Sequence, residues 1–358
     1  MAEIWRAIDT GLRPAAQNIA LSRALLEARR AEEIPSTVRF LRFAPCALLG
    51  FQQSAEQELN VEYCAANGIA VQRRVTGGGA MCLDEGQLGW ELYLHRHDVK
   101  TTDMRAISRR LCHAAATAVS ALGVDARYRP RSEIEVDGRR IGDAGGVFDN
   151  DALLFQGTLL LEFDIEKMLR VLRIGGEVLP ERAIAAARER VVSLKDLLRH
   201  KPDSALVKRY LVEAFESEFG VEFSDGDLTL SEHKRFEAAL HEIDHPDWVN
   251  LVAQPASALP IREAERKITG GVLRASVAFD LVAQTLRRVW FTGEILVIPR
   301  RLLGDLEAAL RDTPLDRLEG RVRGFFHGRR YDAAGLTPED FIAIVLLALN
   351  QPVTAQNS

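Results

Sequence analysis

Apolar side chains along the chain follow two periods, and the switches between them mark out its elements. Residues 14–31 carry Ile19, Leu21, Leu25 and Leu26 at helical spacing. Residues 37–43 alternate polar and apolar side chains, which predicts a half-buried strand. A turn at Pro45 leads to a short strand ending near Gly50. Residues 58–68 predict a helix closed by Asn67 and Gly68, and residues 69–74 a strand that runs straight into a glycine loop. Residues 88–94 alternate again. Residues 103–122 gather Ile107, Leu111, Ala115, Val119 and Leu122 on one face of a long amphipathic helix.

The clearest hairpin follows. Glu133 to Val136 alternates, Asp137-Gly138 is a tight-turn dipeptide, and the chain returns from Arg139. Residues 152–163 predict a further strand, and helices are expected over 164–172, 180–199 and 204–218. Residues 220–262 carry turn residues, charge and three prolines (Pro246, Pro255 and Pro260), so part of this stretch is read as an interdomain connection. Strands over 273–280 and 289–291 and helices over 301–310 and 338–349 then make a second α+β unit.

Composition narrows the function classes. The 358 residues are 47% hydrophobic and 27% charged, enough for a sizeable core and two domains. A net charge of -5 argues against a nucleic-acid partner. No run reaches the length of a membrane helix, and the greasiest stretch, Phe341 to Leu349, fits a buried helix. The first twenty residues lack a secretory signal. Cys46, Cys64, Cys82 and Cys112 show no CxxC spacing, which favours a reducing cytoplasm. His95 and His97 have no clustered third ligand, so no metal site is predicted. Trp90, Tyr93 and Trp290 are read as core.

The first chemical signal is Arg73-Arg74-Val75-Thr76-Gly77-Gly78-Gly79-Ala80. Three consecutive glycines are costly in backbone entropy, and close approach of a ligand is one compensation. Amides freed of side chains can point at an anion, and two arginines add forked donors. A glycine-rich turn beside a solvated basic pair is the plainer alternative. The loop is neither a Walker loop nor a dinucleotide fingerprint, because the required spacings are absent.

With Asp84 four residues on, this run resembles the signature loop of lipoate–protein ligases. Asn18-Ile19-Ala20-Leu21 is similar to the family's first helix, and Gly50-Phe51-Gln52-Gln53 to its early substrate-facing turn. Glu135-Val136-Asp137-Gly138-Arg139-Arg140-Ile141 resembles its second motif, and Gln156-Gly157-Thr158 the strand after it. Arg190-Val191 with Ser193-Leu194 resembles a later helix entry. Gly270-Gly271-Val272-Leu273-Arg274, Phe291-Thr292-Gly293-Glu294 and Pro299 resemble the accessory domain. The resemblance covers nearly the whole chain. It implies an α+β fold: a mixed β-sheet flanked by helices over residues 1–220, a connecting segment over 221–261, and a small C-terminal α+β domain over 262–358.

The resemblance also implies ATP-dependent activation of lipoate to lipoyl-AMP, with magnesium, and transfer to a lysine of a lipoyl carrier domain. Lipoate or octanoate would be the acyl substrate. Arg74, helped by Arg73, and the amides of Gly79, Ala80, Met81 and Cys82 would hold phosphate or carboxylate. Gly77 and Gly78 would let the acyl chain lie close. Thr76, Asp84, Gln52, Asp137, Gly138 and Gly157 complete the expected site. Asp84 would orient the loop or a magnesium water, or simply cap the loop.

One departure stands out. The family's lysine after the Asp-Gly hairpin is here Arg140, followed by Gly142-Asp143, and no lysine lies between Lys100 and Lys167. Arginine keeps the charge with a bulkier fork, and Asp143 can draw it away from a phosphate. Two alternatives follow: a lipoyl or octanoyl transferase without its own adenylation step, or a non-catalytic carrier-binding protein. Related transferases use a cysteine thioester, with the cysteine just before the hairpin or in a later loop. Here residues 128–132 hold no cysteine, and none occurs after Cys112. Cys82, beside the loop, is the remaining candidate and reads as a small buried hydrophobe.

Overall fold

The strand Glu3–Arg13, which has no clean alternation, lies inside a sheet between two parallel neighbours and is buried over Trp5–Ile8. The computed structural model describes residues 3–130, 132–173, 181–252, 255–268, 271–333 and 335–352. The chain divides into two units. One comprises Met1–Leu48, Glu62–Gln72 and Cys82–Trp248, and the other Leu49–Val61, Arg73–Met81 and Val249–Ser358.

The first unit is built on an eight-stranded sheet. Its order is Val221–Asp225, Glu3–Arg13, Thr37–Phe43, Gln87–His95, Ala152–Leu160, Arg139–Asp149, Glu133–Val136, Ala126–Arg129. The first three strands are parallel, the pair Glu3–Arg13 and Thr37–Phe43 being joined by the crossover helix Ala15–Arg30, and the remaining pairings are antiparallel. The sheet is therefore mixed, and helices flank it.

Leu88, Trp90, Leu92 and Leu94 share one core with apolar residues of the helices Met104–Ser120 and Ser204–Phe219. Alternation puts Glu91 and Tyr93 on the opposite face. The periodicity predicts half-buried strands here, yet Arg39 is fully buried and Glu91 nearly so. Helix Ala15–Arg30 supplies the missing partners. Arg39 pairs with Glu91 at 2.9 Å and donates to the Asn18 side chain at 2.6 Å. Ser22 Oγ donates to Glu91 at 2.8 Å, and the Tyr93 hydroxyl donates to the same carboxylate. The polar half of the alternation thus faces a second buried layer, where every charge is matched.

Two further differences have local causes. The helix expected over 180–199 is split into Glu181–Arg188 and Leu194–Leu198, because Val191 bridges to Arg140 between them and Ser193 caps the second piece. Residues 220–248, the front of the stretch read as a connection, belong to the first unit. They supply its edge strand and the helix Leu230–Ile243, which packs on Ala15–Arg30.

The strands Ala70–Arg73, Cys46–Leu49 and Met81–Leu83 form a small sheet in that order. The second unit has an antiparallel sheet of Ile261–Ile268, Gly271–Asp280, Thr285–Gly293 and Thr313–Pro314. Helices Leu302–Leu310, Leu318–Phe326 and Pro338–Leu349 contribute to its core, where Phe341 meets Phe291 at 5.1 Å and Phe326 at 5.4 Å. Gly270 of the accessory motif lies outside the described residues. Among those residues no helix is long and apolar enough to cross a membrane.

Candidate functional site

The glycine loop belongs to the second unit, in the same body as the C-terminal sheet, whereas Arg140 and Asp143 belong to the first. Each group is built from its own neighbours.

Arg73 is fully buried. Its guanidinium donates to the carbonyls of Gly50 at 3.0 Å, Phe51 at 2.9 Å, Gln53 at 2.6 Å and Val249 at 2.6 Å. Burial pushes its pKa down to about 10, against the pull of Glu56. Arg74 turns under the loop and donates to the carbonyls of Gly77 at 2.7 Å and Gly79 at 2.8 Å. A planar trans peptide points its C=O and the following N–H in opposite directions. The amides of Gly78 and Ala80 are therefore turned away from Arg74. Gly78 has φ +91°, which glycine adopts without strain.

The space left by the missing side chains is taken from within the same unit. A Cβ on Gly77 would lie 2.7 Å from Leu296 Cβ, and one on Gly79 would lie 2.7 Å from a Glu294 carboxylate oxygen. A Cβ on Gly50 would collide with the Gly78 carbonyl at 2.0 Å. Burial raises the Glu294 pKa, Glu58 adds to this, and Arg74 opposes it. The 50–53 turn is held likewise: Phe51 N–H donates to Thr76 O at 2.9 Å, Gly293 N–H to Gln52 O at 3.0 Å, and Arg300 lies 4.4 Å over the Phe51 ring. Thr76, Gln52 and Cys82 are buried, and Ala80 and Met81 half-buried.

In the first unit the Asp137-Gly138 turn has positive φ at both positions, 51° and 75°, as a tight two-residue hairpin requires. Arg140, about a third exposed, lies 3.6 Å from Glu133 and 3.6 Å from Asp143. Arg129 pairs with Glu133 at 2.5 Å and Glu135 at 3.1 Å. Two guanidiniums thus share three carboxylates. The Arg140 backbone is stitched to the 190–192 segment, through Arg190 O at 2.8 Å and Val192 N at 3.0 Å, which brings two of the sequence motifs together. Asp84 pairs with Lys167 at 3.1 Å and accepts from Gly86 N–H at 2.9 Å. A Cβ on Gly157 would lie 2.2 Å from the Trp90 ring, so the indole fills that position.

All four cysteines are buried. Burial pushes the Cys82 and Cys112 thiols up to about 12 and raises Cys46 and Cys64 as well. Among the described residues no three His, Cys, Asp or Glu side chains are grouped to hold a metal ion. Four residues have contacts that the sequence alone does not reveal. Lys167 reaches Asp84 from a separate helix, Glu294 and Leu296 meet the loop from more than two hundred residues away, and Gln53, next to the expected contact Gln52, has a buried Nε2 without an acceptor among the described residues.

Residues 14–216 match the model of the lipoyl protein ligase A/B catalytic domain. An octanoyltransferase LipM of Moorella thermoacetica is 26% identical over 268 residues, covering 69% of this chain and 98% of that relative. Lipoate-protein ligase A subunit 1 of Thermoplasma acidophilum is 27% identical over 205 residues, covering 54% of this chain and 76% of that relative. The crystal structure of P. falciparum LipL1 in complex with lipoate superposes with a TM-score of 0.73 at 14% identity, covering 96% of this chain and 99% of that one. At that identity the likeness establishes a shared fold.

Proposed function

The chain belongs to the lipoyl protein ligase A/B catalytic-domain family, and on that premise we propose that it transfers a lipoyl or octanoyl group directly to a lysine of a lipoyl carrier domain. The donor in this reading is an acyl adenylate, not a thioester on the chain's own cysteine.

The observation that carries the reading is the burial of every thiol. Burial holds the Cys82 and Cys112 thiols in their neutral form, pushed up to about 12, whereas the thiolate is the nucleophile. An adenylate needs no such relay. The lysine amine attacks the acyl carbonyl, the carbonyl–phosphate oxygen bond breaks, AMP leaves, and the amine loses its proton. Negative charge develops on the carbonyl oxygen, and backbone amides are suitable donors for it. The Gly78 and Ala80 amides, turned away from Arg74, are the ones we assign to that task.

ATP and lipoate would be the substrates of the activation step. Magnesium commonly binds through substrate phosphates and its own waters, with one or two carboxylates. Asp84 fits that demand poorly while it holds Lys167 and Gly86. A second reading, transfer from a preformed adenylate only, is favoured by Arg140, which shares Glu133 and Asp143 instead of standing as a lone cation.

Mass spectrometry of a lipoyl carrier domain tests these readings. The protein is supplied with ATP, magnesium and lipoate, with synthetic lipoyl-AMP, or with an octanoyl thioester of an acyl carrier protein. A variant with all four cysteines changed to alanine is run beside it. Carrier acylation from either adenylate source, retained in that variant, is expected. Acylation only from the thioester, lost with the cysteines, overturns the proposal. Product from lipoyl-AMP but not from ATP selects the second reading.

A further inference from the structure

We propose that Gln53 is a substrate-binding residue whose side-chain N–H donates to the carbonyl or carboxylate oxygen of the acyl group. This rests on the acyl-transfer reading above and adds a specific contact to it.

Gln53 is fully buried, and its Nε2 has no acceptor among the described residues. A buried donor without an acceptor forfeits its hydrogen bond to water and gains nothing in return. Such groups are rare in folded proteins and call for an explanation such as a ligand. Of the buried side-chain nitrogens left without a partner among the described residues, Gln53 Nε2 is the one primary amide.

Its orientation follows from its neighbours. Gly50 N–H donates to Gln53 Oε1 at 2.8 Å, so exchanging the amide's oxygen and nitrogen would set two donors against each other. The main chain is fixed as well, because Gln53 O accepts from Arg73 at 2.6 Å. An ideal Cβ at Gly50 would stand 3.3 Å from Gln53 Oε1 and 2.0 Å from Gly78 O. The amide, Gly50 and the left-handed Gly78 therefore form one contact group within the second unit. A donor rigidly held beside the glycine turn is matched by a single oxygen acceptor. A fatty acid presents one as its carboxylate, and its adenylate presents one as the acyl carbonyl.

Exchanging donor for acceptor tests this. Gln53→Glu keeps the oxygen that receives Gly50 N–H and replaces the free N–H with a carboxylate oxygen. Lipoate and lipoamide binding are measured by calorimetry on the full chain, with thermal melting to confirm folding. Both ligands offer a C=O to the wild-type side chain, but only lipoamide can donate to the new carboxylate. Lipoate affinity should fall about tenfold or more, and lipoamide much less, shifting their ratio by roughly tenfold. A purely structural Gln53 would lower both alike, and that result overturns the proposal. Where the variant fails to fold, the side-chain ¹⁵N–¹H signal of wild-type Gln53 reads the same contact. It should shift on saturation with lipoate, and an unmoved signal overturns the assignment alone. Failure of the wild type to bind either ligand overturns the assignment and the acyl-transfer reading together.

Discussion

Arg73-Arg74 and Arg139-Arg140 are both arginine pairs next to glycine turns, but they have different kinds of partner. The first pair is buried and bound to backbone carbonyls: Arg73 holds those of Gly50, Phe51, Gln53 and Val249, and Arg74 those of Gly77 and Gly79. In the second, Arg140 is partly exposed and bound to carboxylates, those of Glu133 and Asp143. A carbonyl cannot change its charge or leave without unfolding its turn, so the loop arginines act as fixed braces. A surface carboxylate exchanges readily with water or with an incoming anion. Of the two, the hairpin arginine is the one poised to change partners.

The largest effect that would break this comparison is on Arg73. Arg73→Met keeps the bulk and removes the shared donor from the Phe51, Gln53 and Val249 carbonyls, while Gly50 O keeps the Gln53 backbone N–H at 3.2 Å. Charge-assisted hydrogen bonds and the cost of stranded buried acceptors put the loss at about 3–5 kcal/mol, read as the shift in urea unfolding free energy. A loss below about 1 kcal/mol would mean that the turns hold themselves, and that Arg73 is free for ligand chemistry.

These contrasts set what could be read in advance. The strand Thr37–Phe43, the helix Ala15–Arg30 and the Asp137-Gly138 hairpin follow from local period and turn chemistry, and they stand where the pattern puts them. Glu3–Arg13 escapes that logic because Trp5–Ile8, between two parallel neighbours, is buried on both faces while the apolar Ile4 and Leu12 are exposed, so no alternation marks it. Arg39 and Glu91 mislead for the converse reason: their alternation implies water, and only the helix across the sheet reveals a buried pair. The glycine loop is conspicuous as a sequence, but Glu294 and Leu296, which fill its spaces, come from a remote segment that no local pattern links to it. Gln53 and Gln52 are indistinguishable by type and both are buried; the missing acceptor sets Gln53 apart.

A second prediction extends the contrast to an acid. Glu307, in the second unit, accepts from the Phe291 backbone N–H at 2.7 Å, and burial raises its pKa to about 7. A carboxyl raised from its ordinary value of 4.5 favours folding most when protonated. Its contribution is therefore complete below about pH 4.5 and is lost as pH climbs through about 7. Unfolding free energy should fall by about 2–3 kcal/mol between pH 5 and pH 8. In Glu307→Gln that slope should vanish. A slope surviving the substitution would move its origin to other carboxylates.

The smallest effect on stability, and the sharpest on chemistry, is expected at the hairpin. Arg140→Lys shortens the reach to Glu133 and Asp143 but keeps a cation, so unfolding free energy should change by less than about 0.5 kcal/mol, as for other partly exposed pairs. Adenylate formation should respond differently. An ammonium is a compact point charge with rotatable donors, whereas the guanidinium fork is planar and suited to engaging two carboxylates at once. Release from that arrangement should raise lipoyl-AMP production by about tenfold, which is about 1.4 kcal/mol in the barrier. The readout is pyrophosphate release with ATP, magnesium and lipoate. A sharp fall would show instead that the fork is the adapted group, with Glu133 and Asp143 orienting it for the phosphate.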